Sequence, residues 1–153
     1  ILIQRSCQRY FTERTYQDAK SELGWADFQA QKYRAWEHHT ALTLAKACER
    51  AARSGTAEQV GTACRRAIQA YTNELEPHFQ VEERSLLPLL KGAETQLLGQ
   101  RTLADHQQLR ALLKDLLQND ADALGSFGKC LSAHVRFEER ELFPALESIL
   151  ANG

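Results

Sequence analysis

The sequence has few of the features that would indicate a membrane, a nucleic acid or a disulfide framework as its setting. It contains no run of 18 apolar residues, so we expect no transmembrane helix. The formal net charge is −1 and the basic residues form no stripe, so nucleic acid is not an expected partner. No Cys-x-x-Cys pair occurs, which argues against a zinc knuckle and favours reduced thiols in a cytoplasmic protein. The cysteines are Cys7, Cys48, Cys64 and Cys130.

Alternating runs of β-branched residues are also missing, whereas Ala, Leu, Glu, Gln, Arg and Lys are abundant, which is typical of helices. Breaks are few, and they fall near Gly55, Gly92 and Asn119. We therefore predict an all-α protein, an up-down-up-down four-helix bundle with an N-terminal extension. The extension covers residues 1–24 and the bundle domain residues 25–153. The predicted helices span about 25–54, 57–91, 95–118 and 121–150.

One phrase occurs twice in the chain. Residues 78–90 read HFQVEERSLLPLL and residues 134–146 read HVRFEERELFPAL, and 7 of these 13 positions are identical. Each copy places a Glu four residues after a His, as His78 with Glu82 and His134 with Glu138. Residues four apart lie on the same face of a helix, so each copy presents an imidazole and a carboxylate side by side.

The apolar stripes of all four predicted helices include a His, and two of them include a Glu. A carboxylate in a protein core is unfavourable unless it is paired, hydrogen-bonded or bound to a metal. No Lys or Arg falls on these stripes at the same level, so we predict a metal centre, and without metal we expect the two carboxylates to repel each other and take up protons. The predicted ligands are His38, His78, Glu82, His106, His134 and Glu138.

Two metals that share carboxylates inside a helix bundle favour iron, with manganese next and zinc as a further alternative. In the arrangement we expect, His38 and His78 hold one ion and His106 and His134 hold the other. Glu82 and Glu138 bridge the two ions, together with an oxo or hydroxo group. About one position on each ion stays open.

The four His positions, the two His-x3-Glu-Glu phrases and the flanking segments EHHTAL and ADHQQLRALL resemble the hemerythrin-like HHE cation-binding family. The resemblance covers about residues 30–150. It implies a four-helix bundle with a non-haem di-iron centre that binds dioxygen, senses oxygen or redox state, or handles iron.

Two positions depart from the pattern of oxygen-carrying hemerythrin. That protein has a further His where this chain has Thr102, and its second carboxylate is an Asp five residues after the His. The departure favours reactivity with redox partners, NO or peroxide over storage of O2. We expect Thr102 to line a small-ligand pocket, one turn before His106.

Several neighbours of the predicted ligands have roles that the sequence leaves open. Tyr71 is a core residue or a redox and hydrogen-bonding neighbour of the site. His39 is predicted at the surface or behind the ligands, and Asp105 and Glu37 are either hydrogen-bond acceptors for the imidazoles or exposed. Glu83 and Glu139 are predicted to be solvated, and the three prolines to kink the second and fourth helices.

Three functions follow as alternatives. The first is a di-iron protein that binds or senses O2, NO or redox state. The second is a di-iron enzyme, a peroxidase or ferroxidase, or an iron-handling protein. The third is a helical interaction module with a structural zinc ion. A protein partner or a homo-oligomer is compatible with each of them.

Overall fold

Four helices make up the part of the chain that the structure, a computed structural model, describes: the backbone of residues 23–152 and the side chains of residues 38–152. Helix α1 spans Leu23–Ser54, α2 begins at Ala57, α3 spans Ala93–Leu116 and α4 begins at Ala121. No strand occurs between residues 23 and 152. The predicted all-α four-helix bundle is confirmed. The extension lies almost wholly outside the described residues, and its boundary with the bundle domain stays a prediction.

Local hydrogen bonds explain where the helices begin and end. The Thr56 hydroxyl accepts from the backbone N–H of Gln59, and the Gln59 side chain accepts from the N–H of Thr56, which forms the capping box expected at the start of α2. The Asp120 carboxylate caps α4 by accepting from the backbone N–H groups of Asp122 and Ala123. Asn119 adopts a φ of 56°, a left-handed conformation that Asn tolerates and that ends α3. These loops are short, so consecutive helices run antiparallel.

Helices α2 and α4 are not regular α-helices throughout. Helix α2 consists of Ala57–Ala70, a π turn at Tyr71–Leu75, a helical segment at Glu76–Val81, a second π turn at Glu82–Leu86 and a 3₁₀ turn at Leu87–Leu89. Helix α4 consists of Ala121–Phe137, a π turn at Glu138–Leu142 and Phe143–Asn152. Two of the three π turns therefore begin at the Glu of a repeated phrase.

Each π turn begins six residues before a proline: Pro77, Pro88 and Pro144. Proline has no N–H to donate, and its ring clashes with the carbonyl four residues earlier in an α-helix. A wider turn relieves both problems, because the N–H of the residue before each proline bonds to the carbonyl five residues back. The interruption expected from the prolines thus takes the form of π turns.

The core has two apolar parts with a polar layer between them. The larger part contains residues from all four helices, from Val60 and Leu116 at one end to Phe79 and Val135 next to the polar layer. The smaller part contains Leu86, Leu90, Phe137, Leu142, Phe143 and Leu146. Along α2 and α4, the repeated phrases lie where one cluster gives way to the other. Among residues 23–152, no helix combines the length and apolarity needed to cross a membrane.

Candidate metal centre

The polar layer contains every buried polar or charged side chain among the described residues. Six of them are the predicted ligands, and the seventh is Thr102. None is more than 5% exposed, and five of the seven are at most 1% exposed. The structure therefore brings together, from four helices, the side chains that the sequence pattern singled out. These seven are His38, His78, Glu82, Thr102, His106, His134 and Glu138.

Glu82 and Glu138 each lie between two imidazoles. Glu82 places Oε1 at 2.6 Å from Nε2 of His78 on its own helix, and Oε2 at 3.1 Å from Nε2 of His106 on α3. Glu138 places Oε1 at 2.6 Å from Nε2 of His134 on its own helix, and Oε2 at 2.9 Å from Nε2 of His38 on α1. Each carboxylate thus directs one oxygen toward an imidazole of each half of the bundle.

The donor atoms form two overlapping groups with the spacing of metal ligands. One group takes one atom each from Glu82, His106, His134 and Glu138, and these atoms lie within 4.8 Å of one another. The other takes one atom each from His38, His78 and Glu138, within the same distance. Glu138 belongs to both groups. The division of the four His into two pairs is the one that the sequence analysis expected.

Most of these close contacts are not hydrogen bonds. Among the described residues, both oxygens of Glu82, Oε1 of Glu138, and Nε2 of His106 and His134 have no hydrogen-bond partner, although each is buried. Buried polar atoms are rarely left in this state. Nitrogen and carboxylate oxygen atoms that face a common space without hydrogen-bond geometry fit the donor set of a first-row transition metal. The residues present therefore fit a metal centre.

The electrostatics lead to the same conclusion. Oxygens of Glu82 and Glu138 lie within 4.8 Å of each other in the core, and the described residues bring no Lys or Arg to either carboxylate. At an effective dielectric constant of about 20, two unit charges at this distance repel by roughly 3 kcal/mol. A divalent cation between them converts the repulsion into attraction.

Without a metal, the pKa values favour a proton on the imidazole of His134 rather than on Glu138. Burial lowers the pKa of His134, but the charge of Glu138 and the hydrogen bond to Asp105 outweigh it and raise this pKa to about 10. Burial raises the pKa of Glu138, but the charged His134 and hydrogen bonds hold it well below the usual range. The expectation that both carboxylates take up protons is therefore wrong for Glu138. The imidazole of His134, 2.6 Å from this carboxylate, has the higher pKa and takes up the proton in its place.

Carboxylates also hold the outer nitrogens of three imidazoles. Nδ1 of His134 lies 3.0 Å from Asp105, Nδ1 of His106 lies 2.8 Å from Glu83, and Nδ1 of His38 lies 3.1 Å from Glu139. A proton on Nδ1 leaves the lone pair of Nε2 free to face the centre of the bundle. Asp105 is thus a hydrogen-bond partner, one of the two roles left open.

Glu139 is exposed, in keeping with its predicted solvation, whereas Glu83 is half-buried. The contact of each with an imidazole goes beyond that prediction. The second Glu of each repeated phrase was the signal that could have identified them. The side chain of Glu37 lies outside the described side chains. His39 is exposed and belongs to neither donor group, in keeping with its predicted place off the stripe.

A further network extends from Glu83 and was not anticipated. Arg110 donates two hydrogen bonds to Glu76 at 2.9 and 3.0 Å, and its third nitrogen lies 3.0 Å from Glu83. The hydroxyl of Tyr71 donates to the same Glu76. The ring of Phe79 stacks on His106 at 3.9 Å and meets Tyr71 edge-on at 6.0 Å. Tyr71 is therefore a core residue that is joined to the site through Glu76 and Arg110.

Thr102 is fully buried on α3, four residues before His106. Its hydroxyl donates to the carbonyl of Leu98 at 2.8 Å. Donation to a small ligand would require the hydroxyl to leave this carbonyl, whereas its lone pairs can still accept a hydrogen bond. The role of Thr102 in a ligand pocket stays a prediction.

Fold and site together define a four-helix bundle with a cluster of His and Glu in its core that could hold metal. Searches among curated proteins and solved structures gave no significant match. The family model of the hemerythrin HHE cation-binding domain matches residues 36–146, which is more than half of the chain. The protein belongs to this family, and the resemblance found in the sequence is confirmed. Membership implies binding of iron or another metal.

Proposed function

We propose that the protein binds two iron ions in the polar layer of its bundle and uses them to bind or sense O2, NO or redox state. His38 and His78 would hold one ion, and His106 and His134 the other. Glu82 and Glu138 would bridge the two. Iron in such a site supplies one-electron redox chemistry and open positions for a small ligand.

The observation that carries this proposal is the orientation of the two buried carboxylates. Each places one oxygen beside an imidazole on its own helix and the other beside an imidazole on a different helix, at 2.6–3.1 Å. A carboxylate that served a single ion would not need its second oxygen beside the other His pair. This arrangement favours two ions with shared carboxylates over one isolated ion.

The protein groups have distinct tasks in this proposal. The four imidazoles supply neutral nitrogen ligands, and Asp105, Glu83 and Glu139 fix the orientation of three of them through Nδ1. The apolar clusters on both sides keep water away from the polar layer. Thr102 is proposed to contact a small ligand at the ion held by His106 and His134.

The experiment that tests the proposal is metal analysis of freshly purified protein combined with its optical spectrum, before and after reduction. We expect about two irons per chain and visible bands that change on reduction. One iron per chain would overturn the bridged arrangement. So would an unchanged iron content in the double variant Glu82→Gln/Glu138→Gln. A colourless protein that contains zinc would favour the structural-zinc alternative, because Zn²⁺ is d¹⁰.

Ligand binding separates the remaining alternatives. Azide or NO should shift the visible bands, and Thr102→Val, which removes the hydroxyl while nearly keeping the shape, should change the affinity for the ligand but not the iron content. Sustained turnover of peroxide or Fe²⁺ would favour the enzyme alternatives over a sensor. We also propose a reducing compartment such as the cytoplasm, since Cys48, Cys64 and Cys130 carry free thiols.

A further inference from the structure

The two repeated phrases make the same contacts around their carboxylates. In each phrase, a Glu contacts the His four residues before it at 2.6 Å, and its other oxygen contacts a lone His of another helix at 2.9 or 3.1 Å, which is His106 for Glu82 and His38 for Glu138. The next Glu of each phrase contacts Nδ1 of the same lone His. The two donor groups are called the His106–His134 half, which includes both carboxylates, and the His38–His78 half, which includes Glu138. Each half thus contains one lone His with an outer Glu.

The outer partners of the two lone imidazoles differ. Glu83, which contacts His106, has a side chain only 24% exposed. Glu139, which contacts His38, has a side chain 48% exposed and a longer contact, 3.1 Å against 2.8 Å. Solvent competes for the carboxylate of Glu139 much more than for that of Glu83, so Glu139 constrains its imidazole less.

An arginine accompanies the more buried of the two carboxylates. Arg110 lies four residues after His106, contacts Glu83 at 3.0 Å and is itself held by two hydrogen bonds to Glu76. The corresponding position four residues after His38 is Leu42, a partly buried residue that packs on the apolar core. Among the described residues, Glu139 contacts His38 and no Arg or Lys.

The other imidazole of the same half is constrained too. Asp105 accepts from Nδ1 of His134, has a side chain 21% exposed and lies 3.7 Å from Arg101. The ring of Phe79 stacks on His106 at 3.9 Å and meets His134 edge-on at 5.4 Å. Both imidazoles of this half are thus fixed by a carboxylate with an Arg beside it and by a common aromatic ring.

We infer that Arg110 is a positioning residue that makes the His106–His134 half the high-affinity half, so that two metal ions load in a fixed order, this half first. The inference rests on the proposed function, which it refines. Arg110 acts through Glu83: it holds the carboxylate in place, and the carboxylate holds the tautomer and ring orientation of His106.

The charges of the two Arg residues, taken by themselves, would favour the opposite order, which makes the role of Arg110 testable. Arg110 and Arg101 carry positive charge near the His106–His134 half, and that charge repels a cation. Both Arg side chains are partly exposed, Arg110 at 32% and Arg101 at 51%, so water and salt screen their charges. Loss of the carboxylate that holds the outer nitrogen of a metal-binding His typically lowers metal affinity by about 10–100-fold. We therefore expect the orientation of the imidazoles to outweigh the screened repulsion.

The experiment is an anaerobic titration of the metal-free full chain with Co²⁺, followed by visible absorption and by competition with a chelator of known affinity. We expect two binding steps whose affinities differ by at least about tenfold. His38→Ala should retain the tight step and lose the weak one. His106→Ala should lose the tight step. Far-UV circular dichroism checks that each variant is folded.

A matched pair of variants tests the role of the outer carboxylates. Glu83→Gln should weaken the tight step by about 10–100-fold and leave the weak step nearly unchanged. Glu139→Gln is the same change at the corresponding position, and it should weaken only the weak step. The loss of affinity at that step should be smaller than the loss that Glu83→Gln causes at the tight step. Arg110→Gln should weaken the tight step, although it removes a positive charge. A merely structural role would move both steps together.

The outcomes separate this inference from the proposed function. Two steps of equal affinity in the wild-type protein, a tight step that survives in His106→Ala but not in His38→Ala, or tighter binding by Arg110→Gln would each overturn the inference and leave a two-metal site standing. Co²⁺ binding that neither His38→Ala nor His106→Ala changes would overturn the proposed function itself.

Discussion

Helices α1 and α4 approach each other closely at Gly128, and this contact offers a sharp test of the fold around the site. A Cβ at this position would lie 2.6 Å from the carbonyl oxygen of Ala45 and 2.8 Å from Cγ of Glu49. A carbon–oxygen contact of this kind normally needs ~3.3 Å. In Gly128→Ala the two helices must therefore separate by roughly 0.7 Å, because a backbone carbonyl cannot turn aside as a side chain can.

Two effects of opposite sign decide the magnitude. Alanine in place of glycine inside a helix stabilises it by up to about 1 kcal/mol. Overpacking of a tight contact typically destabilises by about 1–3 kcal/mol. Since the clash is with backbone, we expect overpacking to prevail and the free energy of unfolding of Gly128→Ala to fall by about 1–2 kcal/mol.

Gly125 supplies the control one turn earlier on α4. A Cβ there would lie 3.4 Å from Cβ of Ala52, an ordinary van der Waals contact. Gly125→Ala should therefore be neutral or more stable than the wild-type protein. The assay is urea unfolding of the metal-free variants with a common m-value. Equal stabilities of the two variants, or a Gly128→Ala protein more stable than wild type, would refute the close packing of α1 on α4.

Three further predictions concern the site. His38→Ala should lose much more bound metal than His39→Ala, because His39 is exposed and outside both donor groups; similar losses in metal analysis would contradict this. Tyr71→Phe should lower the free energy of unfolding by about 1–2 kcal/mol through the lost hydrogen bond to Glu76, with unchanged metal content. The pKa of His134 is raised to about 10, from about 6.5 in an unfolded chain. The proton on His134 therefore stabilises the metal-free protein fully below pH ~6.5, and this stabilisation is lost as pH rises through ~10. Metal must displace that proton, so apparent metal affinity should rise between pH 6 and 8, and a constant affinity by chelator competition would count against this.

Most of the fold could be predicted from the sequence because its signals are local. The capping box at Thr56, the cap at Asp120 and the break at Asn119 each depend on residues within one turn. The predicted helices of 57–91 and 95–118 end within two residues of the observed ones. Residue placement on the inner face followed from helical periodicity, which is why all six expected ligands are found buried in one layer.

The outer contacts of the site could not be predicted in the same way. The sequence analysis placed Glu83 and Glu139 off the inner face by assuming a rotation of about 100° per residue. Both residues lie in π turns, where five residues rather than four separate the bonded groups, so each residue turns less. The second Glu therefore stays closer to the direction of the first. The contacts of Arg110 could not be predicted because its partners, Glu76 and Glu83, come from another helix.

The repeated phrase combines ligand and geometry in one segment. The proline six residues after each Glu cannot be accommodated by a regular α-helix, and the π turn that relieves it begins at that Glu. The same wide turn brings the following Glu to a lone imidazole of another helix. Because both copies of the phrase contain this π turn, each copy holds one lone His in the same way. The copies differ within the phrase at Phe79 and Val135, and the ring of Phe79 packs on His106 and His134. Outside the phrase, Arg110 lies four residues after one lone His and Leu42 lies four residues after the other, and this contrast supports the proposed difference in affinity.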